Sequence, residues 1–280
     1  RMLTQDVPIM IFDDSLSAVD AETDAKIRHA LKAEMEKATV LLISHRINSL
    51  KQADLILVMD KGKICELGTH EELISQEGIY KDIYEIQLKA LLRASAFGKI
   101  KIMVPLVTGV DELRQVKAMI KEIMAELDKE GVAYNKNIEV GVMMETPAAC
   151  MVADVLAKEA AFFSIGTNDL TGYTMAVDRG NAKVAYLYST YNPAVLRAIK
   201  RIIECGKKEG IMVGMCGEAA ADSKLIPLLL AFGLDEFSVS ATSVLKTRKT
   251  ISDCTMDECK ALADKVMACV TEEEVLEILG

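Results

Sequence analysis

Short apolar segments alternate with amphipathic segments through most of this sequence, and this alternation constrains the fold most strongly. After Gly98 the apolar segments predict β-strands at Ile100–Pro105, Ile138–Met144, Phe162–Ile165, Ile211–Met215 and Glu236–Val239. The segments between and after them have helical periodicity, at Val110–Lys129, Pro147–Lys158, Pro193–Lys208, Ser223–Phe232 and, as a final pair, from Met256 to Leu279. Strands that alternate with helices predict an α/β fold with a parallel sheet.

Most of these predicted strands carry polar residues at their carboxyl ends. A (β/α)8 barrel keeps its active site at that end of its strands. Five strands are predicted here, against the eight of a closed barrel. The sequence therefore predicts an incomplete TIM-type barrel of about five βα units.

The region before Gly98 has a shorter α/β rhythm. Its predicted strands and helices are Val7–Phe12, Ala21–Lys37, Thr39–Ser44, Asp54–Met59, Lys63–Glu66 and a mostly helical stretch from Leu73 to Ala96. The first three strands read as buried, and Asp60-Lys61-Gly62 predicts a tight turn. This pattern is typical of a partial P-loop NTPase-type α/β segment.

Composition limits the partners and the compartment. The 280 residues carry a net charge of −9, which argues against nucleic acid as a partner. Seven cysteines without a CxxC pair fit reduced thiols in a cytoplasmic protein better than a disulfide framework. No apolar run reaches the ~18 residues that a spanning helix needs.

The first set of motifs begins where an apolar strand ends in Asp13 and Asp14. The segment SLSAVD follows, and His45 comes directly after the next predicted strand. Residues 1–87 resemble the C-terminal part of an ABC-transporter ATP-binding domain. The resemblance implies that Asp13, Asp14 and His45 contact nucleotide and its Mg²⁺. The alternative is structural, since any buried strand can end in Asp and His45 can cap a helix.

This first set lacks the parts that would complete it. The sequence contains no GxxxxGK[ST] phosphate loop, whose backbone N–H groups and lysine bind the β- and γ-phosphates. Asp14 also stands where active members of the ABC family usually have Glu. ATP hydrolysis by this segment alone is not expected, so the functional alternative is a module that assists a partner subunit's complete site.

The second set of motifs lies at strand ends after Gly98. Glu145 and Asp169 follow neighbouring strands, and two such carboxylates can bind Mg²⁺ through oxygen. Asn168 and Arg179 supply a neutral donor and a bidentate cation, which suit phosphate or carboxylate. Cys216 follows a strand end, where a thiol can exchange a proton with a ligand. Taken singly, each residue also has a structural reading, as a helix cap or a buried thiol.

The motif residues of this second set also resemble those of a known family. METPAA, SIGTNDLTGYTMAVDRGN and GMCGE are similar to the C-terminal, phosphoenolpyruvate-binding barrel of enzyme I of the bacterial sugar phosphotransferase system. The similarity covers residues 88–280. It implies a PEP-dependent phosphotransferase, that is, a kinase-like transferase of sugar transport that forms pyruvate. It also implies a phosphocarrier protein as partner and a homodimer.

The resemblance assigns a role to each matching residue. Glu145 and Asp169 are implied as Mg²⁺ ligands, and Asn168, Asp169 and Arg179 as substrate-binding residues. Cys216 is implied as the proton donor to C3 of the enolate. The remaining cysteines are predicted to be packing or partly exposed thiols: Cys65, Cys150, Cys205, Cys254, Cys259 and Cys269.

Parts of the enzyme I pattern are missing. The family's phosphorylated histidine sits in a Gly-rich TSH context, which surrounds none of His29, His45 and His70. The two resemblances meet within residues 86–88, where helical periodicity continues without Gly, Pro or a polar linker. The sequence therefore leaves a third hypothesis open, a chimeric chain without activity.

Overall fold

The computed structural model describes residues 9–13, 39–43, 50, 53–76, 78–178, 181 and 183–280. The chain divides into two compact units, residues 1–91 and 92–280. The predicted boundary after residue 87 and the observed division both lie inside one helix, Ile79–Ala94. That helix runs without interruption through residues 86–88, as the periodicity predicts.

The first unit contains two pairs of strands. Strand β1 (Ile9–Asp13) pairs in parallel with β2 (Thr39–Ile43), and β3 (Ile56–Asp60) pairs antiparallel with β4 (Lys63–Gly68). The turn between β3 and β4 places Lys61 and Gly62 at φ values of 48° and 78°. Such left-handed conformations are typical of a tight hairpin turn, in agreement with the sequence.

Two helices follow, and they cover one face of the hairpin. They are α1 (His70–Ile74) and α2 (Ile79–Ala94). The local core consists of four buried side chains: Ile56, Val58, Leu73 and Tyr80. The prediction of buried strands is wrong for one face of β3, where Leu57 and Met59 are 44% and 61% exposed, and for one face of β2, where Leu41 and Ile43 are 45% and 49% exposed. The helix predicted at Ala21–Lys37 lies outside the described residues.

The second unit is built on one five-stranded sheet. Its strands are β5 (Lys101–Val104), β6 (Glu139–Met144), β7 (Phe162–Gly166), β8 (Met212–Cys216) and β9 (Glu236–Phe237). They lie in the order β5-β6-β7-β8-β9, and every neighbouring pair is parallel. The predicted parallel sheet is therefore confirmed. Each strand neighbours the next one along the chain, so all carboxyl ends meet at one edge.

Helices form the crossovers and the C-terminal part of this unit. In chain order they are α3 (Val110–Glu130), α4 (Pro147–Met151), α5 (Ala153–Leu156), α6 (Thr167–Met175), α7 (Pro193–Lys208), α8 (Ile226–Phe232), α9 (Val244–Asp253), α10 (Met256–Ala268) and α11 (Glu272–Leu279). The two longest helices of this unit are α3 and α7. Each has one apolar face, and the side chains of that face are buried. No helix in the described part of the chain combines the length and apolarity needed to cross a membrane.

Several helices differ from the sequence prediction, among them α9, which was not predicted. The single helix predicted at Pro147–Lys158 is two short helices, because Val152 leaves the helical region at φ −104° and ψ 20°. Helix α8 begins at Ile226 rather than Ser223, with a proline in its first turn, where the missing N–H costs nothing. Helix α6 was not predicted, because its nine residues TNDLTGYTM have almost no apolar periodicity.

Candidate active site

The polar residues of the second motif set meet at the carboxyl edge of the five-stranded sheet. Glu145 directly follows β6, Asn168 and Asp169 lie in the first turn of α6 directly after β7, and Cys216 is the last residue of β8. Gly166, the last residue of β7, is the register partner of Cys216. The parallel register therefore brings together four residues from three segments that are far apart in sequence.

Glu145 is a buried carboxyl group with one backbone donor. It is 6% exposed, and its Oε1 accepts a 2.7 Å hydrogen bond from the backbone N–H of Leu106. Leu106 has a φ of 54°, a left-handed conformation that turns its N–H toward the carboxylate after β5. The pKa of Glu145 is raised to about 7: burial is the largest cause, the nearby charge of Asp169 adds to it, and the Leu106 N–H opposes both.

Asp169 completes a pair of carboxyl groups. It is exposed, and its nearby charge raises the pKa of Glu145. Within the described residues no ion pair joins either carboxylate to a lysine or arginine. Two adjacent carboxylates, one of them buried, repel each other until a proton or a cation lies between them. This donor set fits a hard divalent cation such as Mg²⁺.

The protein supplies only part of a coordination shell. Within the described residues no three His, Cys, Asp or Glu side chains form a metal-binding group. Mg²⁺ in phosphate sites commonly takes one or two carboxylates, and water and substrate oxygens complete the shell. The pair formed by Glu145 and Asp169 is therefore sufficient for a cation that arrives with an anionic substrate.

Cys216 places a thiol beside these carboxylates. Its Sγ contacts Met143 Sδ at 3.8 Å and accepts a 4.0 Å contact from the Ser164 hydroxyl. Burial raises the pKa of Cys216, the Ser164 hydroxyl lowers it, and the negative charges of Glu145 and Asp169 raise it. The thiol consequently keeps its proton at neutral pH and is able to donate it.

Hydrogen bonds fix the turn from β7 into α6 against β8. The Thr167 hydroxyl donates to the Cys216 carbonyl at 3.0 Å, and Asn168 Oδ1 accepts from the Glu218 N–H at 3.3 Å. The Tyr188 hydroxyl donates to the Asn168 carbonyl at 3.0 Å. These bonds hold Asn168 and Asp169 at a set position relative to the thiol.

Two glycines are required by close approach at this edge. A Cβ on Gly166 would lie 2.8 Å from Glu145 Oε2 and 3.1 Å from Met143 Sδ. Gly217 has a φ of 92°, which side chains rarely adopt, and a Cβ there would collide with the Thr167 hydroxyl. Glycine at both positions allows the carboxylate, the thiol and the turn to share a small volume.

The remaining predicted site residues either lie outside the described residues or belong to the first unit. Arg179 lies outside the described residues, as do Asp14 and His45. Asp13 ends β1 in the first unit. Their predicted roles therefore stay predictions.

Three contact residues escaped the sequence reasoning: Leu106, Met143 and Ser164. For Met143 and Ser164 the sequence does contain a signal, because alternate residues of a strand lie on the same face. Met143 lies two residues before Glu145, and Ser164 two before Gly166, so each shares a face with a site residue. Leu106 acts through its backbone, which its side-chain type does not reveal.

A family model for the PEP-binding domain of PEP-utilising enzymes matches residues 73–256. The chain belongs to this family. The chain is 51% identical over 200 residues to the phosphoenolpyruvate-protein phosphotransferase of Staphylococcus aureus. It is 50% identical over 199 residues to the protein of that name from Priestia megaterium. Each match covers 71% of this chain and 35% of the relative, so the chain spans about a third of these relatives' length.

Among solved structures, a bacterial Atm1-family ABC exporter with ATP bound matches this chain at 32% identity. The match covers 29% of this chain and 14% of the exporter, with a TM-score of 0.28. A similarity of this extent adds no argument about either unit.

Proposed function

We propose that the second unit binds phosphoenolpyruvate together with Mg²⁺ and protonates its enolate to form pyruvate. The observation that carries the proposal is the meeting of a protonated thiol, Cys216, with the Glu145–Asp169 pair at one sheet edge. The names of the relatives supply the substrate, and the chain would be the PEP-handling part of a phosphoenolpyruvate-protein phosphotransferase.

The proposed roles follow the chemistry of each group. Glu145 and Asp169 would hold the Mg²⁺, which when bound offsets the negative charge of the phosphate and enolate oxygens. Asn168 and Arg179 would orient the phosphate, as the family resemblance implies. The Cys216 Sγ–H would give its proton to C3 of the enolate, and the thiolate that remains would recover a proton from solvent.

The phosphate acceptor is the second part of the proposal. In the full-length relatives the phosphoryl group passes to a protein, as their name states. We infer that this chain's site serves a phosphohistidine domain and, beyond it, a phosphocarrier protein. We also infer a homodimer, by resemblance alone.

The strand order of the sheet supports a more specific proposal about the fold of the second unit. Five parallel strands in sequence order, each crossing over through helix, form the arrangement of consecutive βα units in a (β/α)8 barrel. We propose that the unit corresponds to five such units of a barrel, with its active site at the carboxyl edge.

Calorimetry with phosphoenolpyruvate tests the proposal. We expect binding to the full chain only with Mg²⁺ present, and a loss of affinity of about tenfold or more in Glu145→Gln and Asp169→Asn. Glu159→Gln, a carboxylate paired with Arg114 at the other end of the sheet, is the matched control and should bind as the parent does. Equal heats with and without Mg²⁺, or unchanged binding in both site variants, would contradict the proposal.

A second candidate function concerns the first unit. Strand β1 pairs in parallel with β2, and Asp13 is the register partner of Ile43, so the two predicted motif strands end level with each other. This register favours an ABC-type module in which Asp13, Asp14 and His45 assist a partner subunit's nucleotide site. It predicts that ATP binds only after a subunit with a complete phosphate loop is added. ATP binding that is the same with and without that subunit would refute it.

A further inference from the structure

The turn between α9 and α10 brings two cysteines together through the geometry of a helix cap. Thr255 caps α10: its Oγ1 accepts from the backbone N–H of Glu258 at 3.4 Å and donates to that residue's carboxylate at 2.6 Å. Cys254 directly precedes the cap, and Cys259 is the fourth residue of α10. Side chains at these two positions of a capped helix pack against each other.

The two thiols lie on opposite sides of the cap but differ in exposure. Cys254 is one residue before the cap and Cys259 four residues after it, the two positions whose side chains a capped helix packs together. Cys259 is 2% exposed. Its burial is the main cause of its raised pKa, and the neighbouring Cys254 is the second cause. Cys254 is half-buried, and its Sγ donates to the Thr250 carbonyl at 3.1 Å. An oxidant in solvent therefore meets Cys254 first.

We propose that Cys254 and Cys259 form a reversible disulfide by exchange with a low-molecular-weight disulfide such as oxidised glutathione. The Cys254 thiolate attacks one sulfur of the small disulfide, whose S–S bond breaks, and one glutathione leaves as its thiol. The Cys259 sulfur then attacks Cys254 and displaces the second glutathione. Two protein thiols are oxidised, the small disulfide is reduced to two thiols, and the protein's two protons end on the leaving thiols.

The pair is separate from the candidate active site. The recorded partners of the Cys216 thiol are Met143 and Ser164, not another cysteine. Helix α10 packs against α8, and the disulfide would tie the end of α9 to that packed pair. Cys254 and Cys259 thus gain a modification site, where the sequence predicts packing or partly exposed thiols.

Peptide mass spectrometry of the full chain tests the proposal. The chain is incubated with oxidised glutathione at about pH 8, near the pKa of ordinary thiols, alkylated with iodoacetamide and digested with trypsin. Cleavage after Lys249 and Lys260 leaves both cysteines in one peptide, 250–260, while Cys269 lies in peptide 266–280. We expect peptide 250–260 to be lighter by two hydrogen atoms and unalkylated. Peptide 266–280 should carry the alkyl group.

Two variants separate the steps of the exchange. Cys259→Ser should retain glutathione on Cys254, because the resolving sulfur is gone, and Cys254→Ser should leave Cys259 free of glutathione. The result in the parent chain is decisive by itself, so the test does not depend on either variant folding. A parent peptide that keeps glutathione, or one that is fully alkylated after oxidation, overturns the proposal. Glutathione on Cys259 in Cys254→Ser would overturn the assigned order of attack.

Discussion

The carboxylates at the two ends of the five-stranded sheet have opposite electrostatic surroundings. At the amino end, Glu139 pairs with Lys101 at 2.5 Å and Glu159 pairs with Arg114 at 2.6 Å. The hydrogen bond from Arg114 lowers the pKa of Glu159. These carboxylates are charged, partly exposed and compensated by the protein itself.

At the carboxyl end, no lysine or arginine of the described residues forms an ion pair with Glu145 or Asp169. Glu145 is buried, receives one backbone N–H and faces a second carboxylate, and its pKa is raised to about 7. Charges buried without a partner cost stability, so such an arrangement is typical of a functional site. The carboxylates of the amino end are therefore placed for stability, and those of the carboxyl end are the groups proposed for binding and catalysis.

The largest expected effect concerns the thiol at the carboxyl end. Proton donation to the enolate implies the reverse step, so the chain should exchange the methyl protons of pyruvate for deuterium when Mg²⁺ is present. Cys216→Ala should slow this exchange by about 10²–10⁴-fold, the usual contribution of a general acid or base. Proton NMR of pyruvate in D₂O measures the rate.

A cysteine away from this edge supplies the control for that measurement. Cys205 is half-buried on α7, and Cys205→Ala should exchange at the parent rate. Exchange that is equally fast in Cys216→Ala would remove the thiol from the proposed chemistry and weaken the contrast between the two ends of the sheet.

The next effect is on stability at the carboxyl end. Burial raises the pKa of Glu145 from its ordinary 4.5 to about 7, so the folded state binds the proton more tightly than the unfolded state. This stabilisation is fully present below pH 4.5 and is lost as the pH rises to about 7, by about 3 kcal/mol. Glu145→Gln should therefore be the more stable protein at pH 8, with little difference at pH 4.5. Urea unfolding across this pH range measures the free energy of unfolding.

Added Mg²⁺ sharpens the same comparison. At pH 8 it should raise the unfolding midpoint of the parent, because a ligand that binds the folded state stabilises it. Glu145→Gln should not respond. A parent chain that is equally stable at pH 5 and pH 8, in parallel with the variant, would show that Glu145 is not destabilised by its burial.

The amino end should show the opposite dependence on pH. The pKa of Glu159 is lowered by its hydrogen bond to Arg114, so its stabilisation is present above its ordinary value and is lost as the pH falls through the folded pKa. Glu159→Gln should lower the urea midpoint at neutral pH and have less effect in acid. High salt should shrink the difference, because the pair is partly exposed. The same shift at both pH values would indicate a packing effect instead.

Much of this sheet edge could be predicted from the sequence, because chemistry and periodicity coincide there. Strand ends at Glu145 and Cys216 follow apolar runs, and a parallel sheet places such ends together. The strand Ile100–Pro105 was predicted too long, since Pro105 has no N–H for the ladder and β5 ends at Val104.

Other features depend on contacts that no local pattern encodes. The left-handed Leu106 is an example, because its N–H is directed at Glu145, 39 residues further along the chain. The placement of Cys254 and Cys259 on the two sides of the cap at Thr255 is another, because it does not follow from a cysteine spacing that marks a redox motif. Sequence predicts the groups that do chemistry better than the groups that hold them in place.

The smallest effect tests one of those holding groups. Ser164 lies on β7 beside the Cys216 thiol at 4.0 Å, and its hydroxyl lowers the pKa of that thiol. Ser164→Ala should raise the pKa and slow alkylation of Cys216 by iodoacetamide at alkaline pH by about threefold, as expected for one weak hydrogen bond. Ser164→Thr keeps the hydroxyl and should restore the rate, as read from the alkylated fraction of the Cys216 peptide. If alanine and threonine react alike, the pKa of the thiol is set by burial alone. The carboxyl end then differs from the amino end only because, within the described residues, no lysine or arginine pairs with its carboxylates.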